Sequence, residues 1–280
     1  MTKRDDDLTS ESVLTGADCL YPDWSVSSRV RALVTTRAGG VSLPPYGRWI
    51  DGREAAGGLN LGLHTGDDPE RVARNRARLL SFAGVRAAWL DQIHGDAIAN
   101  ADEVPAGVPV RADASVTSVP GVACLVMVAD CLPVLLCDAD GRAVGAAHAG
   151  WRGLVAGIVE KTARRVADLA QCDPQTLHAY LGPAIGPRSF EVGDEVRDAF
   201  LAAAASAERE ATAHAFVARG QVPGKHWADL YALARLRLAR LGVTRVTGGD
   251  ACTVTDSDRF YSYRRDRTTG RMGALIWLAD

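Results

Sequence analysis

The chain has 280 residues, enough for one large domain or two modest ones, and its 47% hydrophobic content can build a substantial core. Lysine and arginine total 32 against 34 aspartates and glutamates, so the formal net charge is −2. That balance lacks the basic excess expected of proteins held on nucleic acid or anionic lipid, and small-molecule partners are expected instead, with no obligate protein partner indicated.

In chain order, residues 1–20 read as a flexible N-terminal segment and residues 21–280 as one folded unit. Met1 to Ser12 is charged and polar and has no apolar core of a secretory signal. Val30 to Thr36 is the first expected strand, and Leu43 to Gly58, rich in proline, glycine and arginine, reads as a surface insertion. Asp67 to Gly84 predicts a helix: a capping carboxylate, a first-turn proline and a first-turn acid precede Val72, Leu79 and Leu80, and a glycine ends it. Ala112–Thr117, Val122–Val128, Pro133–Cys137 and Ala143–Ala147 are short apolar runs broken by Gly, Pro and Asp, and are expected as further strands of the same buried sheet. The apolar run Val119 to Cys137 is interrupted by Asp130 and Pro133 and fails as a membrane helix. A soluble, cytoplasmic protein is expected.

A helix is predicted over Trp151–Ala170, with Leu154, Val155, Ile158, Val159, Ala163 and Val166 on one face. The second half adds a strand near Leu177–Leu181, helices over Gly193–Ala205 and Ala228–Leu241, and strands near Thr244–Thr247 and Met272–Leu278. Several strands are joined too closely for helical crossovers, so the expected fold class is α+β: a mixed β-sheet core with flanking helices in a single domain.

Cys131 and His148 flank two of these strands, and Asp138-Ala139-Asp140-Gly141 between them has the composition of a hairpin loop. A hairpin would bring thiol and imidazole together, with His94 in Gln92-Ile93-His94-Gly95 as a third candidate from a separate segment. Thiolate and imidazole suit zinc, and three protein ligands leave a coordination position open. Asp130 either orients a ligand or moves a proton, or else only accepts hydrogen bonds at a strand end. Arg37, Arg264 and Arg265 can grip phosphate as guanidinium forks or can simply be solvated. The Gly-flanked turn that joins His148 to Trp151 and Arg152 favours function, whereas His64, His178, His214 and His226 read as ordinary histidines. Of six cysteines, Cys124 and Cys137 lie in apolar context and are expected in the core.

Together these segments resemble the laccase-domain family, named multicopper polyphenol oxidoreductases and also peptidoglycan editing factors, whose members are understood as purine nucleoside phosphorylases. The resemblance runs through Thr35-Thr36-Arg37-Ala38-Gly39-Gly40, Leu59-Asn60-Leu61-Gly62, Gln92-Ile93-His94-Gly95, Ala129-Asp130-Cys131, His148-Ala149-Gly150-Trp151-Arg152-Gly153, Glu191-Val192-Gly193 and Phe260-Tyr261-Ser262-Tyr263-Arg264-Arg265. It implies zinc on His94, Cys131 and His148, and phosphorolysis of adenosine, inosine or methylthioadenosine to free base and ribose 1-phosphate, with adenosine deamination as a second activity. On this reading Asp130 joins the three ligands as a catalytic residue, and Arg37, Asn60, Arg152 and Arg264 bind substrate or phosphate.

Two rivals belong to other classes: a Cys131/His148 hydrolase of cell-wall precursor amide bonds, and a non-catalytic zinc-stabilised binding module using a fourth ligand such as Cys124, Cys137 or Cys252. A multicopper laccase is rejected, because its trinuclear cluster needs more histidines than six supply. A single copper ion stays as the secondary metal.

Overall fold

Every residue of the strands Val122–Val128, Leu132–Cys137 and Val144–Ala149 is buried, because both faces of each strand are covered. Leu132, Val134 and Leu136 pack on one side against helices. Leu135 and Cys137, on the other pleat, enter a second core facing Val34, Cys124, Val126, Ala274 and Ile276. The two-residue period of a strand thus sends one apolar run into two different cores.

In the computed structural model, residues 13–220 and 222–280 are described. One five-stranded sheet runs in the order Cys19–Leu20, Val30–Thr35, Met272–Leu278, Val122–Val128, Arg86–Ala88. A six-stranded sheet runs Arg245–Gly248, His178–Leu181, Leu132–Cys137, Val144–Ala149, Ala114–Thr117, Ile98–Asn100. Both are mixed: Val122–Val128 is antiparallel to Met272–Leu278 and parallel to Arg86–Ala88, and Ala114–Thr117 is antiparallel to Val144–Ala149 and parallel to Ile98–Asn100. The sheets share the second core between them, and helices cover their outer faces.

Pro69–Ala83 covers the first sheet through Leu79 and Leu80. It starts where the Asp68 carboxylate accepts the Glu70 N–H and stops at Gly84, whose φ of 68° lets its N–H reach the Leu80 carbonyl. Trp151–Ala156, Ile158–Ala170 and Leu230–Ala239 cover the second sheet with Leu154, Ile158, Val166 and Leu233. The α+β class and single domain hold.

Three details depart from the sequence reading. The strands expected in one sheet are divided between two, since two packed sheets bury both faces of each apolar run. The helix expected from Trp151 to Ala170 is broken at Gly157, whose φ of 88° is outside helical geometry. Within the segment expected to be flexible, residues 1–12 lie outside the described residues, but Leu14 is buried and Cys19–Leu20 pairs with Val34–Thr35. The Leu43–Gly58 insertion contains a small hairpin, Arg48–Ile50 with Arg53–Ala55, that exposes Trp49 and Ile50 while Tyr46 and Ala55 anchor it.

Candidate metal centre

The hairpin brings its two ends together. Leu132 pairs with Ala149 and Pro133 with His148 across the antiparallel ladder, so Cys131 lies next to the strand end that carries His148. Asp138 shapes the connecting turn: its buried carboxylate accepts the backbone N–H groups of Arg142 (2.7 Å), Ala143 (2.9 Å) and Asp140 (3.2 Å), and the Arg142 side chain at 3.0 Å. The register that places thiol beside imidazole is therefore set at the opposite end of the hairpin.

His94 arrives on a loop between Leu90–Asp91 and Ile98–Asn100. Its φ is 60°, and that of Asp130, beside Cys131, is 93°. Two non-glycine residues in left-handed backbone at one site are strained conformations that the surroundings must hold in place, at about 1–3 kcal/mol each. The ligand atoms of His94, Cys131 and His148 lie within 4.8 Å of one another, and the two imidazole rings stand edge to face with centroids 4.8 Å apart. Two imidazole nitrogens and one sulfur are a donor set that zinc accepts, and the described residues add no fourth His, Cys, Asp or Glu to the cluster. Cys124 and Cys137 lie in the core between the sheets, and Cys252 interacts instead with the Gly186 N–H and Ser189. None of the three serves as the fourth ligand of a structural zinc site.

Space around the trio is limited on one side. A Cβ at Gly150 would lie 3.1 Å from the Cys131 sulfur and 3.2 Å from a His94 ring carbon, and one at Gly153 would lie 2.9 Å from the Gly95 carbonyl. The two glycines of the turn after His148 are what let helix and loop close on the ligands.

Electrostatics favour the charged forms. Burial pushes the Cys131 thiol up, but the charge of His148 and hydrogen bonds from His148 and His94 outweigh it, and the thiol lies below its ordinary value. Burial would lower His148, yet the Cys131 sulfur and the Asp113 carboxylate raise it. Asp113 is held below the usual carboxylate range, burial being overcome by His148 and by the N–H groups of Gly95 and His94.

The trio forms part of the wall of a cavity of about 530 Å³, within the range of sites that hold small molecules. Aromatic and apolar side chains, among them Trp151, Ile185, Phe190, Leu230 and Tyr263, line another part, and Arg264, Arg271 and His64 bring positive or ionisable groups to it. Arg264 also donates to the Glu191 carbonyl at 3.2 Å and lies over Phe190.

Other residues singled out from sequence are placed elsewhere or differently. Asn60 is fully buried and absent from the cavity lining: its amide donates to Thr65 and Asp67, and its oxygen accepts the N–H groups of Gly62 and Arg271. Arg37 donates to the Ser257 and Pro45 carbonyls, lies over Tyr261 and borders a separate depression beside Trp49. Arg152 is exposed and lies over Trp151 without lining the cavity. Arg265 donates to the carbonyls of Thr253, Val254 and Phe260. Asp130 lines the cavity, but its oxygens accept the Thr253 hydroxyl and the Arg264 N–H, both at 2.6 Å, so it ties the 253–264 segment to the site. Sequence reasoning singled out neither Asp113 nor Arg271, and it read His64, which lines the cavity, as an ordinary histidine. The signal for Asp113 was a lone carboxylate between Ala112 and Ala114 in a buried run.

The family model described as multi-copper polyphenol oxidoreductase laccase matches residues 31–279. A Pseudomonas aeruginosa protein named purine nucleoside phosphorylase is 52% identical over 261 residues, covering 93% of this chain and 98% of that one. YfiH of Escherichia coli, also named purine nucleoside phosphorylase, is 48% identical over 261 residues, covering 92% and 98%. Among solved structures, a Neisseria meningitidis protein of the DUF152 family superposes with a TM-score of 0.83 at 48% identity, covering 94% of this chain and 100% of that one. YlmD of Geobacillus stearothermophilus superposes with a TM-score of 0.83 at 29% identity, covering 96% and 99%. With sequence similarity and fold in agreement over nearly its whole length, the chain belongs to the multi-copper polyphenol oxidoreductase laccase family.

Proposed function

We propose that the protein is a purine nucleoside phosphorylase. The observation that carries the reading is the convergence, in one cavity, of the His94–Cys131–His148 cluster, flat aromatic walls and two arginines, in a chain whose relatives bear that name. Phosphorolysis joins a phosphate oxygen to the anomeric carbon of the ribose. The bond from that carbon to the purine nitrogen breaks, and its electron pair leaves with the base, which takes up a proton.

Each part of this reaction has a counterpart in the cavity. Arg264 and Arg271 neutralise the phosphate, and charge-assisted bonds from guanidinium are suited to it. Trp151, Phe190 and Tyr263 offer faces against which a purine stacks. His94, Cys131 and His148 would hold zinc, which when bound supplies a Lewis acid able to polarise a nearby oxygen or nitrogen. Asp130 holds the backbone of Arg264 in place through its 2.6 Å bond and acts by positioning. The same cavity is proposed to deaminate adenosine, with water entering at the ring carbon and ammonia leaving.

Chromatography of inosine and adenosine incubated with the protein, with and without phosphate, tests both activities. Hypoxanthine formed from inosine only when phosphate is present is expected, as is inosine formed from adenosine. Cys131→Ala and His148→Ala should abolish base release, and full phosphate-dependent turnover in either variant refutes the proposal. The paired thiolate and imidazole of Cys131 and His148 favour one second reading, a cysteine hydrolase. Release of an amine from a cell-wall precursor amide, with no base released from nucleosides, would establish it instead.

A further inference from the structure

We propose that Asp113 is the positioning residue of this centre: one carboxylate fixes both the loop that carries His94 and the ring of His148. The inference rests on reading His94, Cys131 and His148 as a metal site.

Asp113 has no exposed surface. Its Oδ1 accepts the His94 N–H at 2.9 Å and lies 2.8 Å from His148 Nδ1, while its Oδ2 accepts the N–H groups of Ile93 at 3.2 Å and Gly95 at 2.7 Å. The backbone joins the same parts: the Asp113 carbonyl accepts the His148 N–H at 2.7 Å, and the Asp113 N–H donates to the Ala97 carbonyl at 3.0 Å. A carboxylate has about four acceptor positions, and four donors occupy them.

Two consequences follow for the ligands. Three successive N–H groups turned onto one carboxylate form a concave anion-holding loop, and this is what sustains His94 in its left-handed backbone conformation. For His148, an acceptor on Nδ1 keeps that proton in place, so Nε2 is the nitrogen that gives up its proton to ligate a metal, the usual way a carboxylate sets the tautomer of a metal-binding histidine.

Asparagine cannot replace this group although it has the same shape. With its NH₂ in the Oδ2 position, it meets the donors of Ile93 and Gly95. With its NH₂ in the Oδ1 position, it meets the His94 N–H and donates to His148 Nδ1, which moves the imidazole proton to Nε2 and takes away the ligating lone pair.

The test is competition for zinc between the protein and a chromophoric chelator, with circular dichroism as the check on folding. Asp113→Asn should bind zinc roughly 10- to 100-fold more weakly than wild type while keeping all three ligands. Wild-type affinity in folded Asp113→Asn overturns the inference and leaves the metal site standing. Failure of the wild-type protein to bind zinc, or binding that survives loss of Cys131 and His148, overturns the site reading and this inference with it. Should Asp113→Asn not fold, the ring itself decides. In zinc-loaded wild-type protein labelled with 15N-histidine, the His148 signals, identified by their loss in His148→Gln, should show the proton on Nδ1. A proton on Nε2 overturns the inference.

Discussion

Replacing Asp138 by alanine removes the acceptor that organises the turn between the strands ending at Cys137 and beginning at Val144. Four donors lose their partner, but they do not lose equally. Asp140 and Arg142 are exposed, and their N–H groups and the Arg142 guanidinium are rehydrated, whereas Ala143 is fully buried and its N–H has no such recourse. One buried unsatisfied donor costs about 1–3 kcal/mol, and the bonds lost to water add up to about 1 kcal/mol more, so a destabilisation of about 2–4 kcal/mol is expected. The pH dependence has a definite sign. Asp138 is fully buried by its surroundings, and burial raises its carboxyl, but the N–H groups of Ala143 and Arg142 and the Arg142 guanidinium bring it below the ordinary value. A depressed folded-state pKa means that the ionised group's contribution is complete above the unfolded value of about 3.9 and is lost as pH falls through the folded one. Urea unfolding of wild type and Asp138→Ala, followed by tryptophan fluorescence, should therefore show a constant gap from pH 5 to 8 that narrows below about pH 4. A gap under about 0.5 kcal/mol at pH 7, within the range of ordinary surface substitutions, or one that widens in acid, refutes the reasoning.

Gly150→Ala places a methyl 3.1 Å from the Cys131 sulfur and 3.2 Å from the His94 ring. Gly150 has a φ of −62°, so the backbone itself tolerates alanine and the ligands must give way. Because metal sites tolerate ligand displacements of only about 0.2 Å, chelator competition should show weakened zinc binding in a protein that still folds, and unchanged affinity would refute the steric argument. Arg271→Met removes a guanidinium from the cavity wall, and losing a charge-assisted hydrogen bond of about 1.5–3 kcal/mol should raise the KM for phosphate roughly 10- to 100-fold. An unaltered KM for phosphate in initial-rate assays would remove Arg271 from the phosphate site.

How much of this was legible in the sequence depends on the range of the interaction. The cap and stop of Pro69–Ala83 rest on neighbouring residues, and Asp68, Pro69 and Gly84 announced them. The Cys131–His148 pairing was also accessible, because the Asp138 turn is local and its two strands are adjacent in sequence. The division of the strands between two sheets was not, since a run buried on both faces has the same composition in one covered sheet as between two. Asn60 illustrates the corresponding limit for site residues. Its motif marked it as important, yet its amide closes the loop through Thr65 and Asp67 and meets Arg271 from a distant segment, so the motif reports architecture. Arg271 and Asp113 meet partners that only the folded chain brings near, and neither sits in a pattern that sequence spacing makes conspicuous.

The strand Met272–Leu278 is inserted between Val30–Thr35 and Val122–Val128. A polypeptide emerging from the ribosome can form the 132–149 hairpin early, but it must leave a gap in the five-stranded sheet until residue 278 is free. Such sequence-distant pairing is slow and exposes unpaired edges in the meantime. The segment bearing Tyr263, Arg264 and Arg271 immediately precedes that strand. Nascent chains would thus acquire the sulfur and imidazole of the cavity wall early and its two arginines late, so the pocket closes only after the 263–278 segment has been made.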